Sequence, residues 1–277
     1  MPRTQVVLLV MAYSSWHSDL WLEWSRLIPV RFLVHFCRPH GPGGPGGPGG
    51  PSHPRVRVAR MVPSDWADLM GLQLHLLREV QLAYPRFSSC MFVSGECVPC
   101  IKPSAFMSTL SSLRGRSICQ HDPVRPRRQV KGMRVHEGPN WMLLARAHVQ
   151  YLCGLPQNTI DAVAAVRLRP APQHDAAANN DELGLVTLLA NSSHRAKICD
   201  APITDYVIQY GVRHPLRFDR LNAHLLRGIL LNETAEFDTD KLVWSPWGCV
   251  RTRFAFRKVA GELQGDVRRI LQEAGIL

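Results

Sequence analysis

The sequence lacks any apolar run near the roughly 20 residues that cross a bilayer, which excludes a multi-span membrane protein. It is not short of apolar residues, at 45%, and has only 20% charged residues, so global disorder is excluded as well. Acidic residues are scarce: 22 Asp and Glu stand against 33 Lys and Arg, a formal charge of +11 over 277 residues. A surplus of that size favours polyanionic partners, whether nucleic acid, an anionic membrane or a phosphorylated small molecule. The 8 cysteines do not form a short-spaced disulfide framework. Cys97 and Cys100 have CxxC spacing, but no second CxxC or His pair follows at zinc-ribbon distance, and Pro99 sits inside the motif. No internal repeat is visible, and the 21 Pro and 20 Gly are too scattered for a fibre.

The first third alternates strand and helix patterns. Residues 5–11 read as a buried parallel strand, on a continuous apolar run from Val6 to Ala12 that ends at turn-prone Ser14 and Ser15. The same run after Arg3 has features of a short signal peptide, but a helix pattern and a second strand follow at once, which favours the strand. Residues 19–27 carry Leu20, Trp21, Trp24 and Leu27 on one helical face, and residues 30–36 read as the second strand. The segment 41–51, GPGGPGGPGGP, admits neither helix nor order and is expected at an exposed loop tip. Residues 55–60 alternate Val56 and Val58 with Arg55 and Arg57, as an edge strand would. Ser64 is a candidate cap for a helix through Tyr84 that carries Trp66, Leu69, Leu72, Leu76, Leu77 and Val80, and residues 90–94 read as a third core strand. This order predicts an α/β fold with a mostly parallel central sheet, whose ligands gather at the carboxyl ends of the strands.

Further along, the spacing predicts a helix over 104–113, a basic loop over 125–134, a short strand over 140–145 running into a helix through Cys153, and a loop over 170–180. A helix over 181–190 follows, capped by Asn180 or Asp181. The last third predicts a loop at Arg213-His214-Pro215, a helix over 220–231, a turn over 244–248 and a closing helix to Ala274. The expected organisation is one domain over 1–277 with a carboxyl-terminal helical appendage, soluble, without a transmembrane segment or Golgi-type anchor, and cytoplasmic. Asn191-Ser192-Ser193 and Asn232-Glu233-Thr234 are glycosylation sequons that matter only in a secreted chain.

Several short motifs recur in one order. They are Phe32-Leu33-Val34-His35-Phe36-Cys37; Phe92-Val93-Ser94-Gly95-Glu96-Cys97-Val98-Pro99; the run from Gly138-Pro139-Asn140-Trp141 to His148; Asp181-Glu182 with Thr187-Leu188-Leu189; Arg213-His214-Pro215; and Phe254-Ala255-Phe256-Arg257-Lys258-Val259. In that order they resemble the core-2/I-branching β-1,6-N-acetylglucosaminyltransferases and their xylosyltransferase-like and bacterial relatives, over nearly the whole chain. The resemblance implies a GT-A-like, Rossmann-like fold and an inverting transfer from a UDP-sugar, with GlcNAc or xylose as the sugar and a carbohydrate hydroxyl as acceptor, without cofactor or divalent metal.

By the same resemblance Glu182 is the general base, and Arg213 and Lys258, with Arg257 beside it, stabilise the leaving diphosphate by fixed charge in place of a metal. Ala12, Tyr13, His35 and Cys37 fall at nucleoside-contacting positions, with Cys37 departing from the usual Asp. Trp141 and Glu96 fall on the acceptor side, although Trp141 also reads as a core residue. Asp238-Thr239-Asp240 is an Asp-x-Asp, the pattern that holds a metal in other GT-A enzymes, but its position after a helix reads as turn and cap chemistry. Two other readings are a basic, non-enzymatic nucleic-acid or polyanion-binding protein, supported by the charge and the 125–134 cluster, and a catalytically inactive glycosyltransferase-like scaffold, supported by Cys37. No recognised nucleic-acid motif accompanies the charge, so no nucleic-acid partner is expected. The oligomeric state is not encoded in any pattern here.

Overall fold

A computed structural model describes residues 5–13, 16–37, 53–62, 69–124, 128–166, 180–201, 203–205, 227, 243–245, 248–250, 255–256, 259 and 261–277. The elements in chain order are β1 (Gln5–Ala12), α1 (Ser18–Trp24), β2 (Val30–Phe36), β3 (Val56–Val58), α2 (Leu69–Ala83), β4 (Phe87–Ser94), β5 (Val98–Pro99) and α3 (Pro103–Leu113). The short strands β6 (Ser117–Ile118), β7 (Asp122–Pro123), β8 (Gln129–Val130), β9 (Met133–Arg134) and β10 (His136–Glu137) come next. They are followed by β11 (Leu143–Ala145), α4 (Arg146–Cys153), α5 (Gln157–Ala164), α6 (Asn180–Ala190), β12 (Ile198–Cys199) and β13 (Thr204–Asp205). The chain closes with β14 (Val243–Ser245), β15 (Gly248–Val250), β16 (Ala255–Phe256) and α7 (Gln264–Glu273).

Seven strands form the central sheet in the order β12-β6-β11-β4-β1-β2-β3. β3, β2, β1 and β4 run parallel, β11 is antiparallel to β4 and β6, and β12 is parallel to β6. The fold is therefore α/β with a mostly parallel sheet. The apolar run of β1 is buried from Val6 to Ala12 on both faces, as a central strand under two helical layers must be. One layer is α2, α4, α5 and α6, in mutual contact. The other joins α1 to α3 through the Trp24–Phe106 ring pair, centroids 5.2 Å apart, and to α7 through the 3.1 Å Arg268–Glu23 ion pair.

The carboxyl-terminal helix docks by its apolar face: Val267 and Leu271 have no exposed surface and belong to the same core as β1. The expected helix over 19–27 stops at Trp24, and Leu27 is 90% exposed rather than on the apolar face. Ser25 and Arg26 already form a turn, and Pro29 sets the chain up to enter β2. The helix of residues 64–84 is described from Leu69 onward, with Leu69, Leu72, Leu76, Leu77 and Val80 all buried as expected. Ser64, Trp66, the 41–51 segment, most of 170–180 and all of 220–231 except Arg227 lie outside the described residues.

Gly138 and Gly184 are places where the fold requires glycine. A Cβ at Gly138 would stand 2.1 Å from the carbonyl oxygen of Gln120, and one at Gly184 would meet Met70 Sδ at 2.5 Å across the α6–α2 contact. Gly138→Ala should lower unfolding stability by about 1–3 kcal/mol, because backbone has to move to admit the methyl. Chemical denaturation checks it, and a variant as stable as the parent contradicts the close approach.

Candidate functional site

The strand order supplies a topological switch. From β1 the chain moves outward to β2 and β3, then returns to lay β4 on the other side of β1. In open α/β sheets such a switch leaves a crevice beyond the carboxyl ends of the flanking strands. Here those ends are laced together by backbone: Cys37 N–H donates to Ala12 O at 2.9 Å, and Gly95 N–H to Met11 O at 3.0 Å. Ala12, Tyr13, Cys37 and Glu96 thus sit on adjacent strand ends, and Tyr13 is 57% exposed there. His35 does not join them at the surface. It is fully buried, and burial, reinforced by the charge of His75 on α2, pushes its pKa down to about 4, so it is neutral near pH 7.

The carboxyl-terminal segment is clasped to the same edge. Val259 N–H donates to Glu96 O at 3.0 Å, while buried His17 donates from Nε2 to Val259 O at 2.9 Å. Burial is the main reason the His17 pKa is lowered, which keeps the ring neutral with its proton on the donating nitrogen. Just upstream, Ala255 and Phe256 pair with Pro99 and Val98 of β5. The β4–β5 corner is itself fixed by two indoles of α1: Trp21 donates to Cys97 O at 2.9 Å and Trp24 to Ile101 O at 2.6 Å. Arg213, Arg257, Lys258 and the Asp238-Thr239-Asp240 motif lie outside the described residues.

Glu182 is half-buried in the first turn of α6. Its carbonyl accepts from Gly138 N–H at 2.9 Å. Farther along α6, Thr187 Oγ1 accepts from His136 N–H at 3.0 Å and donates to His136 O at 3.1 Å. Asn191 does the same for Arg134, accepting at 3.0 Å and donating at 2.7 Å. Thr187 of α6 and Asn191, just past its end, therefore imitate a strand edge and satisfy the backbone of His136 and Arg134. The segment continues from Gly138 into β11, whose preceding residue Met142 accepts from Phe92 N–H at 3.0 Å. Because β11 is antiparallel to β4, residues 138–142 lie beyond the carboxyl side of β4. Glu182 and the Val259 clasp accordingly occupy one edge of the sheet. Trp141 is only 4% exposed and belongs to the hydrophobic core, so its core reading holds in this structure and it presents no open face for a sugar.

Sequence reasoning missed a polar cluster on this edge. His121 follows β6 and Asp200 follows β12, and the parallel pairing of those strands brings His121 Nδ1 to 3.3 Å from Asp200 Oδ1. Asp200 also accepts from His121 N–H at 3.0 Å, and the His136 ring lies 5.6 Å from that of His121. The hydrogen bond to Asp200 raises the His121 pKa. Burial works to raise that of Asp200, but the bonds from His121 hold it below its ordinary value. His136 is pushed down to about 4 by desolvation and by the nearby cations His121, Arg195 and Arg134. No motif marks these positions in the sequence, and the contact spans 79 residues.

Among the described residues, no group of three or more His, Cys, Asp or Glu side chains is arranged to hold a metal ion, and no helix is long and apolar enough to cross a membrane. Cys97 Sγ lies 3.2 Å from Ser94 Oγ. A cavity of about 210 Å³ opens at the opposite edge of the sheet, lined by Ser89, Leu110, Arg114 and Ala145 among others.

No protein-family model matches the chain, and no curated protein matches it in sequence. Among solved structures it is similar to A197 from STIV, at 9% identity and a TM-score of 0.27, over 53% of this chain and 68% of that one. It is also similar to a protein from Desulfovibrio desulfuricans G20 provisionally assigned as a nucleotide-diphospho-sugar transferase. That likeness has 9% identity and a TM-score of 0.32, over 65% of this chain and 74% of that one. At those scores neither likeness bears on activity or ligand.

The His121–Asp200 pair gives a pH signature. A raised histidine pKa adds stability that is complete below the ordinary value of 6.5 and lost as pH rises through the folded value. A lowered aspartate pKa adds stability present above the ordinary 3.8 and lost as pH falls through the folded value. The pair therefore stabilises most between the two. Asp200→Asn should lower the His121 pKa, read from its ring resonances by NMR titration, and an unchanged titration refutes the pairing.

Proposed function

We propose that the chain is a glycosyltransferase acting by an inverting, metal-independent displacement from a UDP-sugar to a carbohydrate hydroxyl, as its resemblance to the core-2/I-branching enzymes implies. One observation carries this reading: Glu182, held through Gly138, and Val259, the residue after Lys258, lie on the same carboxyl edge of the sheet. A base and a cation serving one displacement need a common cleft, and an arrangement on opposite edges would have removed that possibility.

In this reading the donor nucleotide lies over the ends of β2, β1 and β4, beside Ala12, Tyr13 and Cys37. Glu182 takes the proton from the acceptor hydroxyl as that oxygen attacks the anomeric carbon and the bond to the diphosphate breaks. Charge builds on the departing diphosphate, and Arg213 and Lys258, with Arg257 adjacent, would offset it as preorganised cations. Arginine offers a bidentate fork to phosphate oxygens, and lysine a point charge. Glu96 would border the acceptor.

Glu182→Gln should lower transfer roughly 10²-fold or more while UDP still raises the unfolding temperature. Arg213→Ala and Lys258→Ala should each weaken UDP binding, and chelation of divalent ions should leave transfer unchanged. Full activity in Glu182→Gln, or loss of activity on chelation, contradicts the mechanism. Salt-sensitive oligonucleotide binding without any response to UDP would instead support the polyanion-binding reading, and UDP binding without turnover the inactive scaffold.

A further inference from the structure

The cluster beyond β6 and β12 is built more tightly than a solvated basic face needs to be. The His136 backbone is gripped on both sides by Thr187, and its ring is 3% exposed with Nδ1 buried and without a hydrogen-bond partner among the described residues. Arg134, gripped by Asn191, likewise buries its Nε without a partner among the described residues. Leaving such polar groups unsatisfied is costly, so they mark a place where a hydrogen-bonding ligand would be stabilising. The cluster reaches the surface: Asp200 and Arg195 are exposed, the His121 side chain is 12% exposed, and its ring lies 5.6 Å from that of His136. The balance of charge is cationic, because Arg134, Arg195 and His121, whose pKa Asp200 raises, outweigh the Asp200 carboxylate, while the neutral His136 ring offers a hydrogen-bonding nitrogen.

We propose that His121, His136, Arg134 and Arg195 form a binding site for a single oxyanion group. Resting on the transferase reading above, this is the acidic group of the acceptor: a carboxylate, sulfate or phosphate on the sugar that receives the transfer. Position along the sheet supports the assignment. The donor crevice lies over β2, β1 and β4, and Glu182 is anchored at Gly138, against Gln120 at the end of β6. The oxyanion site follows on β6 and β12, on the far side of Glu182 from the donor. An acceptor spanning from that site to Glu182 would present its hydroxyl to the base with its charge held two residues of chain away, at His136.

The test titrates inorganic phosphate into the full-length protein at neutral pH with UDP saturating, following the histidine ring resonances by NMR and affinity by calorimetry. The expected result is a saturable shift of the His121 and His136 resonances. Arg195→Ala, an exposed position that should not disturb folding, weakens phosphate binding roughly tenfold and leaves UDP affinity unchanged. Lys197→Ala, removing a neighbouring exposed cation outside the cluster, leaves phosphate affinity as it was. No shift of those resonances, or equal losses in the two variants, overturns the site. Should UDP itself fail to bind, the same titration without UDP still decides the oxyanion site, and only its assignment to an acceptor falls with the transferase reading.

Discussion

The arrangement depends on the hydrogen bonds that carry the carboxyl-terminal segment back to the first strands. His17 lies just before α1 and Val259 lies 242 residues later, yet the imidazole donates to the Val259 carbonyl while the Val259 amide donates to Glu96. Both bonds are buried from competing water, so neither is easily exchanged for solvent. Together with the pairing of Ala255 and Phe256 to β5, they hold Val259 beside the switch between β1 and β4. The indoles of Trp21 and Trp24 support the clasp from beneath by fixing the loop that presents Glu96.

A second constraint brings α6 to the same edge. Its Thr187 side chain and that of Asn191, just past its end, pair with the backbone of His136 and Arg134 as a strand would, and its first turn receives Gly138. The glycine is required because Gln120 occupies the space of a side chain. Glu182 is thereby placed by backbone contacts, independent of what its own carboxylate touches. The edge carries three zones in order: the ends of β2, β1 and β4, a carboxylate in a helical first turn, and a histidine–arginine cluster.

The parts of this that were legible in the sequence share a cause. β1 is buried on both faces and so appears as an unbroken apolar run from Val6 to Ala12, β2 and β4 carry shorter apolar stretches at 32–34 and 90–93, and α2 shows its Leu-rich face at helical spacing. β6 and β12 are two residues long, too short to leave a pattern, and the His121–Asp200 contact they create joins residues far apart in the chain. Trp141 was readable either way, because an aromatic beside a strand end looks the same whether it faces a cleft or the core. His35 has a polar name at a strand-end position, but the helix packed above it keeps its ring inside. Leu27 illustrates the reverse, an apolar residue at the right spacing that falls beyond a helix cut short by the approach to Pro29.

The most direct test of the shared edge is amide hydrogen exchange with and without saturating UDP. The account predicts slower exchange together at Tyr13, at Gly95–Cys97 and at Val259, because a ligand in the crevice would stabilise the clasp as one unit. Protection confined to the opposite edge of the sheet, around Ser89 and Arg114, or protection nowhere, would contradict it.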